Sequence, residues 1–303
     1  MSTAPFDRRR LLAGGLALTA GLVLGSACRD GSQGQLRLRV LEESYGPDPL
    51  QRGDLHVPLS DGRHVVVVLV HGGYWQAGFD RSVMRPLADE LVLLGYAVWN
   101  IDYRRVGDPG GGWPGTFDDV AAAVDHLRTL APAHDLDLDQ VVVIGHSAGS
   151  QLAFWSGARA GLPPGSPGAE PLVRPRALAS LSGVLDLDTA ALLPDLGRLG
   201  DLQRSVVDLM GGTPLDVPER YALASPMQRL PLGVPQLLLH GVDDEIVPVA
   251  LTVGYRDAAV AAGDPITSSL VEGVDHFDTA SANKAWWSAV LNWLPTVTGI
   301  PTS

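Results

Sequence analysis

Ser147 stands in Gly145-His146-Ser147-Ala148-Gly149, between an apolar run at residues 141–144 and a helical pattern at residues 148–160. A serine at a strand-to-helix turn is held in a strained conformation with its hydroxyl clear of the sheet, as a nucleophile must be. Bulky neighbours would clash in so tight a turn, which accounts for Gly145 and Gly149 on either side. The helix that follows points its positive end at the place where negative charge would develop. The chemistry needing these parts is acyl transfer, in which a hydroxyl attacks a carbonyl carbon and an oxyanion is held in place.

Three further segments carry the remaining parts. His71-Gly72-Gly73-Tyr74-Trp75 follows the run His64–Val70. Glycines at a strand exit let backbone N–H groups approach an oxyanion, so the expected donors are the amides around Gly72, Gly73 and Tyr74, with that of Ala148. Tyr74 and Trp75, beside that hole, are expected to line the substrate pocket. His240-Gly241-Val242-Asp243-Asp244 offers two carboxylates, Asp243 and Asp244, either of which could orient a histidine. Gly273-Val274-Asp275-His276-Phe277-Asp278 offers the base. Of the eight histidines, His71, His146 and His240 belong to the turn motifs. His56, His64, His126 and His134 precede the serine. Only His276 follows both serine and acid, the order that goes with a Gly-x-Ser-x-Gly turn.

These loops need elements to hold them. Residues 64–70 (HVVVVLV) read as a strand buried on both faces. Strands are also expected at 36–42, 96–101, 141–144, 177–181, 236–240 and 268–271. Helices are expected at 82–94, 116–130, 148–160, 249–262 and 281–294. Such alternation predicts an α/β fold with a mostly parallel sheet and helices on both faces. Residues 161–175 are a Pro/Gly-rich loop. Residues 184–232 are too long for a simple crossover and are expected to form a cap-like insertion over the carboxyl ends of the strands, where such sheets bind ligands.

Composition narrows the classes. Hydrophobic residues make up 46% of 303, as in a packed globular protein, and one cysteine excludes a disulfide scaffold or a Cys-paired zinc site. A net charge of −12 argues against nucleic acid as partner. Residues 1–28 read as an export signal. Arg8, Arg9 and Arg10 precede an apolar run to Ala27, and Asp7-Arg8-Arg9-Arg10-Leu11-Leu12 resembles a twin-arginine motif. Gly25-Ser26-Ala27-Cys28 resembles a bacterial lipoprotein cleavage site, although Gly25 stands where a large aliphatic residue is usual. Cys28 is then the expected lipidation site, with the protein anchored at the outer face of the bacterial cytoplasmic membrane. Ordinary cleavage with secretion, and an uncleaved anchor, are the alternatives. Residues 29–35 form a polar tether and 36–303 the catalytic domain.

Taken together these motifs resemble the α/β-hydrolase superfamily over residues 36–295, and within it the esterase and arylformamidase group with an HGGxW motif. Asp102-Tyr103-Arg104, Trp113-Pro114 with Asp119, and Ala224-Ser225-Pro226 match that group, and His276-Phe277-Asp278 is similar to the histidine loop of kynurenine formamidases. The resemblance implies that the acid stands four residues after the histidine of the His-Gly pair, which selects Asp244 over Asp243. It implies a triad of Ser147, Asp244 and His276, with no cofactor and no metal. The expected activity is hydrolysis of short-chain or aryl carboxylic esters through an acyl-enzyme. An arylformamidase-like amidase, and less closely a peptidase, are the alternatives. The export signal favours the ester hydrolase, since formamidases of this kind are usually cytoplasmic. The expected partner is a small-molecule ester or amide, with membrane contact only through the N-terminal anchor. Oligomeric state is not legible in the sequence.

Overall fold

His64–Val70, the apolar run before the HGG motif, forms the strand β3 with every residue buried. The computed structural model describes residues 38–300 except residue 283. The export signal, the tether and Cys28 lie outside the described residues. The other strands are β1 (Leu38–Ser44), β2 (Arg52–Pro58), β4 (Ala97–Ile101), β5 (Leu136–His146), β6 (Ala177–Leu181), β7 (Gln236–Gly241) and β8 (Ile266–Val271). Among the described residues they make one sheet of eight strands in the order β1-β2-β4-β3-β5-β6-β7-β8. Strand β2 runs antiparallel to both of its neighbours, and β3 to β8 are parallel. This is the α/β-hydrolase architecture.

Alternate residues of β3 feed two cores, as a pleated strand requires. Val66, Val68 and Val70 pack on one face with α2 (Gly115–His134), α3 (Ala148–Ala158) and α7 (Val249–Ala262). Val65, Val67 and Leu69 pack on the other with α1 (Arg85–Leu93) and α8 (Lys284–Thr298), where Trp286 and Trp287 are wholly buried. Each such buried Val or Leu contributes about 1.5–3 kcal/mol. The middle of the sheet, which carries the site, is therefore its best anchored part.

Several elements differ from expectation for local reasons. β2 is not marked in the sequence because Arg52, Gly53 and Asp54 break the apolar pattern. Its Leu55 and Val57 are nonetheless buried, and Gly53 lies under the Trp99 ring. The helix expected at 82–94 splits into a 3₁₀ turn at Arg81–Met84 and α1, whose first turn holds Pro86. β5 starts five residues early, at Leu136, because His64 and Val65 pair with Leu136 and Asp137 before the register shifts to Val66 and Val141.

The insertion at 184–232 carries α4 (Leu187–Ala191), α5 (Gly197–Met210) and α6 (Pro218–Ala224). It is tied to the loop after β4 and to the first turns of α3. The Trp113 amide donates to Leu209 O at 2.8 Å, and Gln151 Nε2 donates to Ala224 O at 2.9 Å. Asp201 and Arg198 of α5 lie close enough to Tyr74 to act on its hydroxyl electrostatically. Among the described residues no helix is long and apolar enough to cross a membrane.

Candidate active site

Ser147 joins β5 to α3 with φ 55° and ψ −123°, the left-handed side of φ that a side chain rarely adopts. Its amide is held by Leu181 O at 2.8 Å, and Ser150 Oγ donates to Gly145 O at 2.7 Å. The flanking glycines are required by contact. A Cβ on Gly145 would sit 2.2 Å from Gly149 O, and one on Gly149 would sit 2.1 Å from Val70 O. The turn thus packs directly against the end of β3, so the serine and the HGG loop share one wall.

The loops after β7 and β8 meet across another close contact, since a Cβ on Gly241 would lie 2.1 Å from Val274 O. This brings the acid to the base. His276 Nδ1–H donates to Asp244 Oδ2 at 2.7 Å, and Ser147 Oγ–H donates to His276 Nε2 at 2.9 Å. The structure therefore assembles Ser147, His276 and Asp244 from three parallel strand ends. Asp243 is exposed and belongs to no such chain.

Asp244 is set deep, its side chain having no exposed surface. Burial pushes its carboxyl pKa up, but hydrogen bonds from His240 and His276, the charge of His276 and the Val247 amide outweigh that and hold it well below the usual range. The Ile246 and Val247 amides donate to Oδ1 at 2.9 and 2.8 Å. Asp244 is thus an ionised, fully bonded acceptor, suited to orienting an imidazole.

The HGG loop turns sharply beside the serine. Gly73 has φ +112°, and Tyr74 and Trp75 follow at 57° and 53°. A Cβ on Gly72 would come within 2.7 Å of His146 O and 2.9 Å of Ser147 Cβ, so only glycine admits this approach. Ala148 is the first residue of α3, and the first N–H groups of a helix have no intrahelical partner. Gly72 and Ala148 thus adjoin Ser147, and Gly73 and Tyr74 continue the same loop. Tyr74 is half-buried, and burial raises its hydroxyl pKa to about 12, so it stays neutral. Trp75 departs from expectation. It is wholly buried in the core, with Nε1 donating to Gln151 Oε1 at 3.1 Å. The left-handed turn at Tyr74–Trp75 directs the indole inward, so it supports the loop and lines no pocket.

Other motif residues hold these loops. Tyr103 stacks on His71 at 4.3 Å and donates its hydroxyl to His71 O at 2.8 Å. Asp102 accepts from the Arg81 amide at 2.8 Å, and Asp119 accepts from Arg104 Nε at 2.8 Å. Two residues that the sequence places only in turn motifs touch His276 and Asp244. His146 Nε2–H donates to the backbone carbonyl of His276 at 3.0 Å. Burial, with the charge of His276, lowers the His146 pKa to about 3, so it is a neutral donor. His240 Nε2 lies 3.2 Å from Asp244 Oδ2. The available signals were adjacency, His146 being next to the serine and His240 four residues before the acid.

The BD-FAE family model matches residues 54–257. Esterase LipQ of Mycobacterium tuberculosis is 30% identical over 67% of this chain and 48% of its own length. Kynurenine formamidase avaC of Aspergillus versicolor is 25% identical over 73% of this chain and 83% of its own. A solved structure, a truncated form of a carbohydrate esterase from gut microbiota, superposes with a TM-score of 0.74 at 19% identity, covering 90% of this chain and all of that one. The chain spans about half the length of the esterase relatives it matches. With more than half of its residues matched by the family model and this strand order, the chain belongs to the BD-FAE family, in the esterase and lipase group of the α/β-hydrolases.

Proposed function

We propose that this chain hydrolyses carboxylic esters with short-chain or aryl groups through an acyl-enzyme on Ser147. The observation that carries the reading is the His276 ring, bonded to Ser147 Oγ at 2.9 Å through one nitrogen and to Asp244 at 2.7 Å through the other. His276 Nε2 takes the serine proton as Oγ attacks the ester carbonyl. Asp244 holds the tautomer in which Nε2 is free to accept. The amides of Gly73, Tyr74 and Ala148, with the close-set Gly72, receive the oxyanion. His276 then protonates the leaving alcohol. Water, activated the same way, releases the acid. No step calls for a metal or cofactor.

Esterase relatives support ester over amide as substrate. The formamidase relative, matched over most of its own length, keeps the arylformamidase reading as the second one. Initial rates on 4-nitrophenyl butyrate and on N-formylkynurenine separate the two. A kcat/KM higher on the ester by at least tenfold is expected, and the reverse ranking would replace the esterase reading.

The N-terminal sequence supports a proposed location. Residues 1–28 direct export by the twin-arginine route, and Cys28 receives the lipid that tethers the catalytic domain to the outer face of the membrane. Palmitate labelling of the whole protein in a bacterial host should be lost in Cys28→Ser. Labelling that persists in that variant would overturn the lipid anchor.

A further inference from the structure

His240 is the penultimate residue of β7, and the chain turns after Gly241 so that the acid loop folds back over the strand end. The Asp244 amide bonds Gly241 O at 3.3 Å, and Asp244 Oδ2 comes within 3.2 Å of His240 Nε2. The protonation of that nitrogen follows from its other partner. Val247 O lies 2.9 Å from it, and a carbonyl can only accept, so Nε2 carries the proton. Thr252 Oγ1 lies 2.7 Å from Nδ1, where a neutral imidazole accepts from the hydroxyl. His240 is wholly buried and held on both ring nitrogens.

The Asp244 carboxylate therefore meets three direct donors and lies beside a fourth N–H. The Ile246 and Val247 amides take Oδ1 and the His276 Nδ1–H takes Oδ2, while the His240 Nε2–H, bonded to Val247 O at 2.9 Å, passes 3.2 Å from that same Oδ2. Donors on one oxygen divide its charge between them. We propose that His240 is a second imidazole on this acid, a positioning residue that draws charge from Asp244 and so sets how strongly Asp244 favours the imidazolium form of His276. The inference rests on the triad reading above and adds a residue that acts through it. Among the described residues, His146 and Tyr74 also face the pair. His146, from the end of β5, stays neutral because burial lowers its pKa to about 3. Tyr74, from the loop after β3, stays neutral because burial raises its pKa to about 12. Neither titrates in the working range of a histidine base.

The test is the pH dependence of kcat/KM on 4-nitrophenyl butyrate for the wild type, His240→Leu and His240→Gln. Leu fills the site without a donor, so the charge on Oδ2 falls wholly on His276. The acid limb should move to higher pH by about half a unit or more. Gln restores an N–H near the same place and should restore the wild-type limb. An unmoved limb in folded, active His240→Leu overturns the proposal. Should His240→Leu fail to fold, proton NMR of the wild type decides. The His240 Nε2–H resonance should move with the same midpoint as His276 Nδ1–H on acidification, and a His240 proton that does not follow overturns the coupling. Absence of ester turnover in the wild type would sink the esterase reading instead, leaving the NMR test intact.

Discussion

His146 Nε2 donates a hydrogen bond to the backbone carbonyl of His276 at 3.0 Å, across 130 residues of sequence. The residue beside the serine thus holds the loop that carries the base. Thr279 Oγ1 donates to the same carbonyl at 2.8 Å. The His276 backbone is fixed by two donors, and its ring by Ser147 and Asp244.

That clamp should be felt in turnover. His146→Leu should lower kcat by about 3- to 10-fold with little change in KM, the worth of one net hydrogen bond. His146→Gln, which keeps a donor, should recover most of the loss. Steady-state kinetics on 4-nitrophenyl butyrate read both variants.

The two neighbouring aspartates should behave differently. Asp244→Asn leaves the imidazole without its anionic partner and should reduce kcat by roughly 10³–10⁴-fold. Asp243→Asn, at an exposed side chain, should stay within about twofold of wild type. Equal losses at the two positions would contradict the assignment of the acid.

Asp244 also makes stability depend on pH. Its pKa is lowered in the folded state, because hydrogen bonds from His240 and His276 outweigh the upward push of burial. The stability it contributes is therefore fully present above the unfolded carboxylate value, near pH 4, and is lost as pH falls through the lower folded value. The unfolding free energy of wild type minus that of Asp244→Asn should be flat above about pH 5 and shrink in acid. Urea titrations at several pH values measure it.

Tyr74 and Trp75 differ in role although they are adjacent. Trp75→Phe leaves Gln151 Oε1 without the indole donor and should cost about 1–3 kcal/mol of stability, with the acyl-chain preference unchanged. Tyr74→Ala, at a half-buried side chain of the HGG loop, should change KM across a series of 4-nitrophenyl esters. A changed acyl preference in Trp75→Phe would return Trp75 to the pocket.

Much of this was legible in the sequence because the physics is local. The bounds of β3 and α7 follow from a β-branched run and from helical spacing. The elbow follows from glycines that contact geometry makes obligatory. β2 was hidden because its buried Leu55 and Val57 are interleaved with Gly53, Asp54 and His56. The inward turn of Trp75 depends on positive φ at two non-glycine residues, which composition does not reveal. The partners of His146 and His240 are set by packing between strand ends far apart in the chain or by a turn folding back on its own strand. Residue type showed that imidazoles were present, and only the fold shows which carbonyl and which carboxylate they reach.

The proposed mechanism stands on Ser147 as a nucleophile activated by His276. A fluorophosphonate probe, followed by mass spectrometry of the labelled peptide, tests it most directly. One adduct is expected on Ser147, lost in Ser147→Ala and strongly slowed in His276→Ala, with both variants folded. A folded wild type that takes up no probe, or a label that persists in Ser147→Ala, would contradict it.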